Sequence, residues 1–142
     1  MKRRENLLRL KRFRVGELKR RLATLDTMHA DVERKLADLE EAVARERQRS
    51  NDSDLGRLAF PSFMRAMDSR RENLTATLAE TERERDNARA ELADAWQDLK
   101  ALETAAEQEA KRAEEAELRR GELRLDEIAL ARQLRKQAVR QI

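Results

Sequence analysis

Few residues in this sequence are of the types that make and break bonds. There is no cysteine and a single histidine, His29. That leaves no thiol nucleophile, no thiolate metal set and no disulfide. An imidazole can serve as base or ligand, but His29 falls in register with Leu22, Leu25, Val32 and Leu36. In such an apolar stripe a lone polar residue is expected to help fix the register of paired helices. Acidic residues are abundant, yet they alternate with basic ones, as in Glu80-Thr-Glu-Arg-Glu-Arg-Asp86. That is the pattern of a solvated helix face with weak ion pairs. No phosphate-cradling glycine loop and no metal-ligand spacing occurs. Catalysis needs a concave, partly dry site where pKa values can shift, and a thin helical rod offers none. The chain reads as non-enzymatic, with no catalytic residue, metal or cofactor.

Two groups of side chains are suited to contacts instead. Phe60-Pro61-Ser62-Phe63-Met64, with Met67 close by, holds two of the three phenylalanines. Exposed aromatic and methionine side chains anchor partners well, although the same residues would also cap an apolar seam. The second group is charge. Met1 to Leu22 holds ten basic and two acidic residues, Ala131 to Ile142 holds four basic and no acidic ones, and the total is only +3. Both ends are therefore basic and the middle is acidic. Such ends attract nucleic acid, an acidic membrane surface or an acidic protein socket. Aromatic stacking residues are missing and acids crowd the neighbouring helix, so no specific nucleic acid is expected. The plain reading of such runs is solubility.

The elements that position these groups are helices. Charged residues make up 43% and aromatics 3% of the chain, too few large apolar side chains for a thick core but enough for a thin seam. One register runs through Leu8, Lys11, Val15, Leu18, Leu22, Leu25, His29, Val32, Leu36, Leu39 and Val43, in steps of three and four. This is a coiled-coil repeat, and its regular spacing argues against disorder. A second register runs from Phe60, Met64, Met67, Arg71 and Leu74 through Leu78, Thr81, Arg85, Ala88, Leu92, Ala95 and Leu99 to Leu102 and Ala106. Between them Asn51 to Pro61 collects turn formers, a glycine and the only proline. Asn, Asp and Ser compete for backbone hydrogen bonds, and Pro61 suits the first turn of a new helix.

The spacing predicts a fold-back, with a kink in one rod as the other possibility. An antiparallel pairing sets Val43 against Met67, Leu36 against Leu74, Val32 against Leu78 and His29 against Thr81. It also sets Leu22 against Ala88, Leu18 against Leu92 and Leu8 against Leu102, leaving Lys11 and Arg85 as poor fits whose stems would snorkel out. The expected fold is all-α, an antiparallel two-helix coiled-coil hairpin whose longer second helix overhangs at the C-terminus. It forms one domain over 1–142, with helix 1 about 2–51, a turn about 52–60 and helix 2 about 61–140. Residues from Glu107 onward would extend roughly 50 Å without a partner. No apolar run approaches a membrane span, and the basic N-terminus lacks a signal core, so a cytoplasmic location is expected.

With these features the chain resembles the FliJ family of flagellar type III export proteins and the related stalk proteins of injectisomes. The residues that carry the resemblance are the turn into Phe60-Pro61-Ser62-Phe63 and the late Leu125-Asp126-Glu127-Ile128-Ala129 before a basic tail. The resemblance implies a hairpin similar to the central stalk of rotary ATPases. Its termini-bearing end would insert into the hexameric ring of the export ATPase (FliI-like). Its tip would contact the cytoplasmic domain of the export gate FlhA, and it would bind export chaperones. It implies a place at the flagellar base, peripheral to the inner membrane. By position, Leu39, Ala42, Phe60, Phe63, Met67, Arg70 and Leu74 match the gate-contacting tip. Lys11, Arg12, Arg14, Leu125, Ile128, Arg132, Arg135 and Lys136 match the ring-contacting region. The tyrosines that some members place on the first helix near the tip are absent here, where small and charged residues stand. The competing reading is a structural coiled-coil scaffold that dimerises as a continuous rod.

Overall fold

The computed structural model describes residues 2–141. Met1 and Ile142, the ends of the domain expected over 1–142, lie outside the described residues. Two helices account for nearly all of the chain, α1 (Lys2–Asp52) and α2 (Asp54–Arg140). Their sequences are rich in straight-chain Leu, Arg, Glu, Lys and Ala, which lose little side-chain freedom in a helix. The helices pack antiparallel as a two-helix hairpin, as the registers require. The chain does turn back on itself, so it forms neither a kinked nor a continuous rod.

The reversal is tighter than the sequence suggests. Only Ser53 separates the helices, whereas the turn was expected over about 52–60 and helix 2 from about 61. Two contacts explain the difference. The Gly56 N–H donates to Ser53 Oγ at 3.0 Å, and the Arg57 N–H donates to the Ser53 carbonyl at 3.2 Å. Ser53 is thus a helix N-cap, placed well before Pro61, and Asp54 follows it at the positive end of the helix dipole. Gly56 supplies the second condition. A Cβ built there would lie 2.9 Å from Ser53 Oγ, 3.0 Å from the Arg49 carbonyl oxygen and 3.1 Å from Ser50 Cα. Without a side chain, the first turn of α2 can lie against the last turn of α1, where Ser50 is buried. Pro61 then sits inside α2. Its missing N–H leaves the Arg57 carbonyl without its helical donor, at an exposed residue where water can replace it.

The chain divides into two compact units. The larger runs from Arg9 to Gln97. Its seam is built from buried Val15, Leu18, Leu25, Val32, Leu39 and Val43 on α1 and Ala88 on α2, with half-buried Met67, Leu74, Leu78 and Leu92. Cross-helix pairs report the register: Glu40 with Arg71, His29 with Glu82 and Asp26 with Arg85. Each lies one residue off an expected layer. His29 and Thr81 form the expected polar layer, 8% and 4% exposed. Thr81 Oγ1 donates to the Thr77 carbonyl at 2.8 Å. The His29 ring meets Glu33 through Nδ1 at 2.6 Å and Glu82 through Nε2 at 3.2 Å. Arg85, one of the poor fits, carries its head to Asp26 at 3.7 Å while its Nε stays buried without a hydrogen-bond partner.

The smaller unit joins the residues up to Leu8 with those from Asp98 onward. Leu99 is buried there, and Leu8, Leu102 and Ala106 are half-buried. The ion pair Arg4–Glu109 comes near the start of α1. Beyond it, every residue from 110 to 141 is exposed except half-buried Ala116 and Gly121. The longer helix overhangs as expected, but from residue 110 rather than Glu107, because Glu109 still pairs with Arg4. Among the described residues, no helix is long and apolar enough to cross a membrane.

Candidate functional site

Near the reversal, the larger unit holds a groove of about 280 Å³ between the two helices. Leu39 and Ala42 from α1 and Phe63 and Met67 from α2 supply its apolar lining, with Lys35, Asp38 and Arg70 as its charged members. The heptad spacing accounts for the floor. Leu39 and Met67 belong to the seam, and Ala42, being small, leaves a gap beside them. Leu39 is only 5% exposed, so a bound group meets Phe63, Met67 and Arg70 first. A cleft of this size holds one or two side chains of a partner rather than a cofactor.

Five of the seven residues assigned to the tip therefore line one groove. Phe60 lies beside it, its ring centroid 6.4 Å from that of Phe63 and tilted by 31°. The Arg47 guanidinium stands 5.8 Å from the Phe60 centroid, which holds the ring by a cation–π contact. Leu74 is half-buried in the next seam layers. Lys35, Asp38 and Arg47 were not foreseen, because charged residues beside a seam read as a solvated face. Leu55 and Leu58, each 80% exposed in the first turns of α2, were also missed.

Ion pairs brace the helices around the groove. Arg71 grips Glu40 with Nε at 2.6 Å and Nη2 at 3.2 Å, and Asp68 with Nη1 at 2.8 Å. The hydrogen bonds to Glu40, followed by its charge and that of Asp68, push the Arg71 guanidinium above its ordinary range. Lys35 Nζ lies 3.2 Å from Asp31 Oδ2. This hydrogen bond and charge, with Arg34 adding to them, hold the Asp31 carboxyl below its ordinary range.

The residues assigned to the ring contact fall in both units. In the larger unit Lys11 is half-buried, whereas Arg12 and Arg14 are exposed, with Arg14 Nη2 3.6 Å from Glu91 Oε2. In the smaller unit Leu125 and Ile128 are 68% and 50% exposed, and Arg132, Arg135 and Lys136 are exposed. An unforeseen feature of the larger unit is Trp96, 40% exposed, with Lys19 Nζ 4.6 Å from its ring centroid. The available signal was position, since Trp96 follows Ala95 and Lys19 follows Leu18, both seam residues. Among the described residues, no group of three or more acidic, histidine or cysteine side chains could hold a metal ion.

Compared with known proteins, the chain matches one family, described as Flagellar FliJ protein, over residues 1–138. No curated protein and no solved structure matches it significantly.

Proposed function

Because the chain belongs to the flagellar FliJ protein family, and so to the proteins of flagellar export, we propose that it is a non-enzymatic coupling stalk of that apparatus. Lys11, Arg12 and Arg14 of the larger unit, and Leu125, Ile128, Arg132, Arg135 and Lys136 of the smaller, are each contacts for the ring of the export ATPase. The groove at the hairpin tip, through Leu39, Ala42, Phe63, Met67 and Arg70 with Phe60 and Leu74 beside it, takes the cytoplasmic domain of the export gate. Export chaperones are further partners, and the protein works in the cytoplasm against the inner membrane at the flagellar base.

The single observation that most supports this reading is the groove itself. Five of the residues assigned to gate contact through the family resemblance converge on one cleft with an apolar floor and a charged rim. That is the arrangement of a hot spot, in which a few anchors carry most of the binding energy. The exposed basic and apolar side chains of α2 from Leu125 to Lys136 support the ring contact, because an acidic socket would neutralise them.

The two halves are tested separately. Phe63→Ala with Met67→Ala is expected to raise the Kd for the gate's cytoplasmic domain by about tenfold or more, since each lost anchor costs about 1 kcal/mol or more. Helicity stays unchanged. Equal binding rejects the tip assignment. Charge reversal at Arg12, Arg14 and Lys136 together is expected to abolish stimulation of the ATPase, and an unchanged rate rejects the ring assignment.

A further inference from the structure

The exposed part of α2 in the smaller unit carries a second seam. Leu118, Gly121, Leu125, Ile128, Arg132 and Arg135 follow one another in steps of three and four. This is the spacing of a coiled-coil face, yet Leu118, Leu125 and Ile128 are 63%, 68% and 50% exposed. The charge along it is divided. Residues 114–127 hold six acids and three bases, whereas 131–142 hold four bases and no acid.

We propose that this face is covered by the same face of a second copy of the chain, running antiparallel. Charge decides the direction. A parallel pair would set Arg132 on Arg132 and Arg135 on Arg135, with acidic half beside acidic half. An antiparallel pair with its two-fold axis between Asp126 and Glu127 lays each basic half along an acidic half. Its layers are then Leu125 with Ile128, Gly121 with Arg132 and Leu118 with Arg135, each occurring twice by symmetry. Gly121 makes the second layer possible. A Cβ at Gly121 would meet nothing within 4 Å, so there is room for the stem of the other copy's Arg132, whose head reaches Glu122. Arg135 lays its stem over Leu118 and turns its head to Glu117, and Lys136 comes opposite Glu115. The stems bury apolar surface while the heads stay wet and paired. The contact is short and rimmed by solvated ion pairs, which makes it a weak, salt-sensitive, concentration-dependent dimer.

Its consequence rests on the ring assignment above. Leu125, Ile128, Arg132, Arg135 and Lys136 are the side chains assigned there to the ATPase. The dimer and the ring then compete for one face, and the second copy is a cover that the ring displaces.

The test is made on the full chain without any partner. In sedimentation across a concentration series, the mass rises from 16.6 kDa toward twice that value, and the rise shrinks with added salt. Arg132→Glu with Arg135→Glu and Lys136→Glu stays monomeric. Mixing it with Glu115→Lys, Glu117→Arg and Glu122→Arg restores the dimer mass. The chain has no cysteine, so direction is read by disulfide formation. A chain with Gly121→Cys and one with Arg132→Cys cross-link to each other when mixed, in preference to either cross-linking with itself. A chain that remains at monomer mass throughout, or one whose single-cysteine forms prefer to cross-link with themselves, overturns the proposal. Neither readout involves the ATPase, so ATPase stimulation that survives the charge reversal at Arg12, Arg14 and Lys136, with self-association of the parent chain intact, counts against the ring assignment alone.

Discussion

Replacing each of the three glycines by alanine in turn should give opposite signs. All three lie within helices, where Ala is favoured over Gly by about 1 kcal/mol. At Gly121 a Cβ meets nothing, and at Gly16 it meets only the flexible end of Arg20, at 3.5 Å. Both substitutions should therefore keep most of that gain. At Gly56 the new Cβ would lie at 2.9, 3.0 and 3.1 Å from three heavy atoms, two of them backbone atoms of α1. Overpacking of this kind costs about 1–3 kcal/mol. Only Ser53 Oγ can move away easily, and doing so breaks the cap to the Gly56 N–H, which is worth about 1 kcal/mol. Set against the helix gain, Gly56→Ala is expected to destabilise the hairpin by about 1–3 kcal/mol. Urea unfolding followed by circular dichroism at 222 nm measures it as a lower midpoint at unchanged slope. Gly16→Ala raises the midpoint, and Gly121→Ala, in the overhang, shows as added helicity. A Gly56→Ala midpoint at or above that of the parent chain would refute the close-approach account of the reversal.

Two further outcomes follow from burial and charge. Leu18→Ala, at a residue 2% exposed, should cost about 2–5 kcal/mol, whereas Leu125→Ala, 68% exposed, should leave the unfolding midpoint of the isolated chain almost unchanged. Similar losses at both sites would mean that the overhang is packed in the monomer. The depressed Asp31 carboxyl favours the folded helix once it is ionised, so its contribution is present above about pH 4, the unfolded value, and is lost as pH falls through the lower folded value. Asp31→Asn should therefore reduce stability near neutral pH and make no difference in strong acid. A gap that widens on acidification would contradict the ion pairing with Lys35.

The parts of this fold that were legible in the sequence are those that periodicity alone controls. Steps of three and four set both seams, and pairing the two registers is enough to place His29 and Thr81 in one polar layer. The overhang follows from the same arithmetic to within a few residues, from Glu107 by pairing and from residue 110 in the structure, because α1 is simply shorter than α2. The reversal was not legible in this way, because it depends on a contact in three dimensions. Asn51, Asp52 and Pro61 favour a long turn by their local preferences. Those preferences were overridden by one capping serine and one glycine that lets two helix backbones touch. The groove was half legible for a related reason. Its floor of Leu39 and Met67 obeys the seam spacing, but its opening exists because Ala42 is small, and its rim members Lys35 and Asp38 look like any solvated helix face until both helices are placed. A heptad pattern shows which side chains point inward. It does not show where the inward set leaves a gap, and at the tip that gap is where partner binding is proposed to occur.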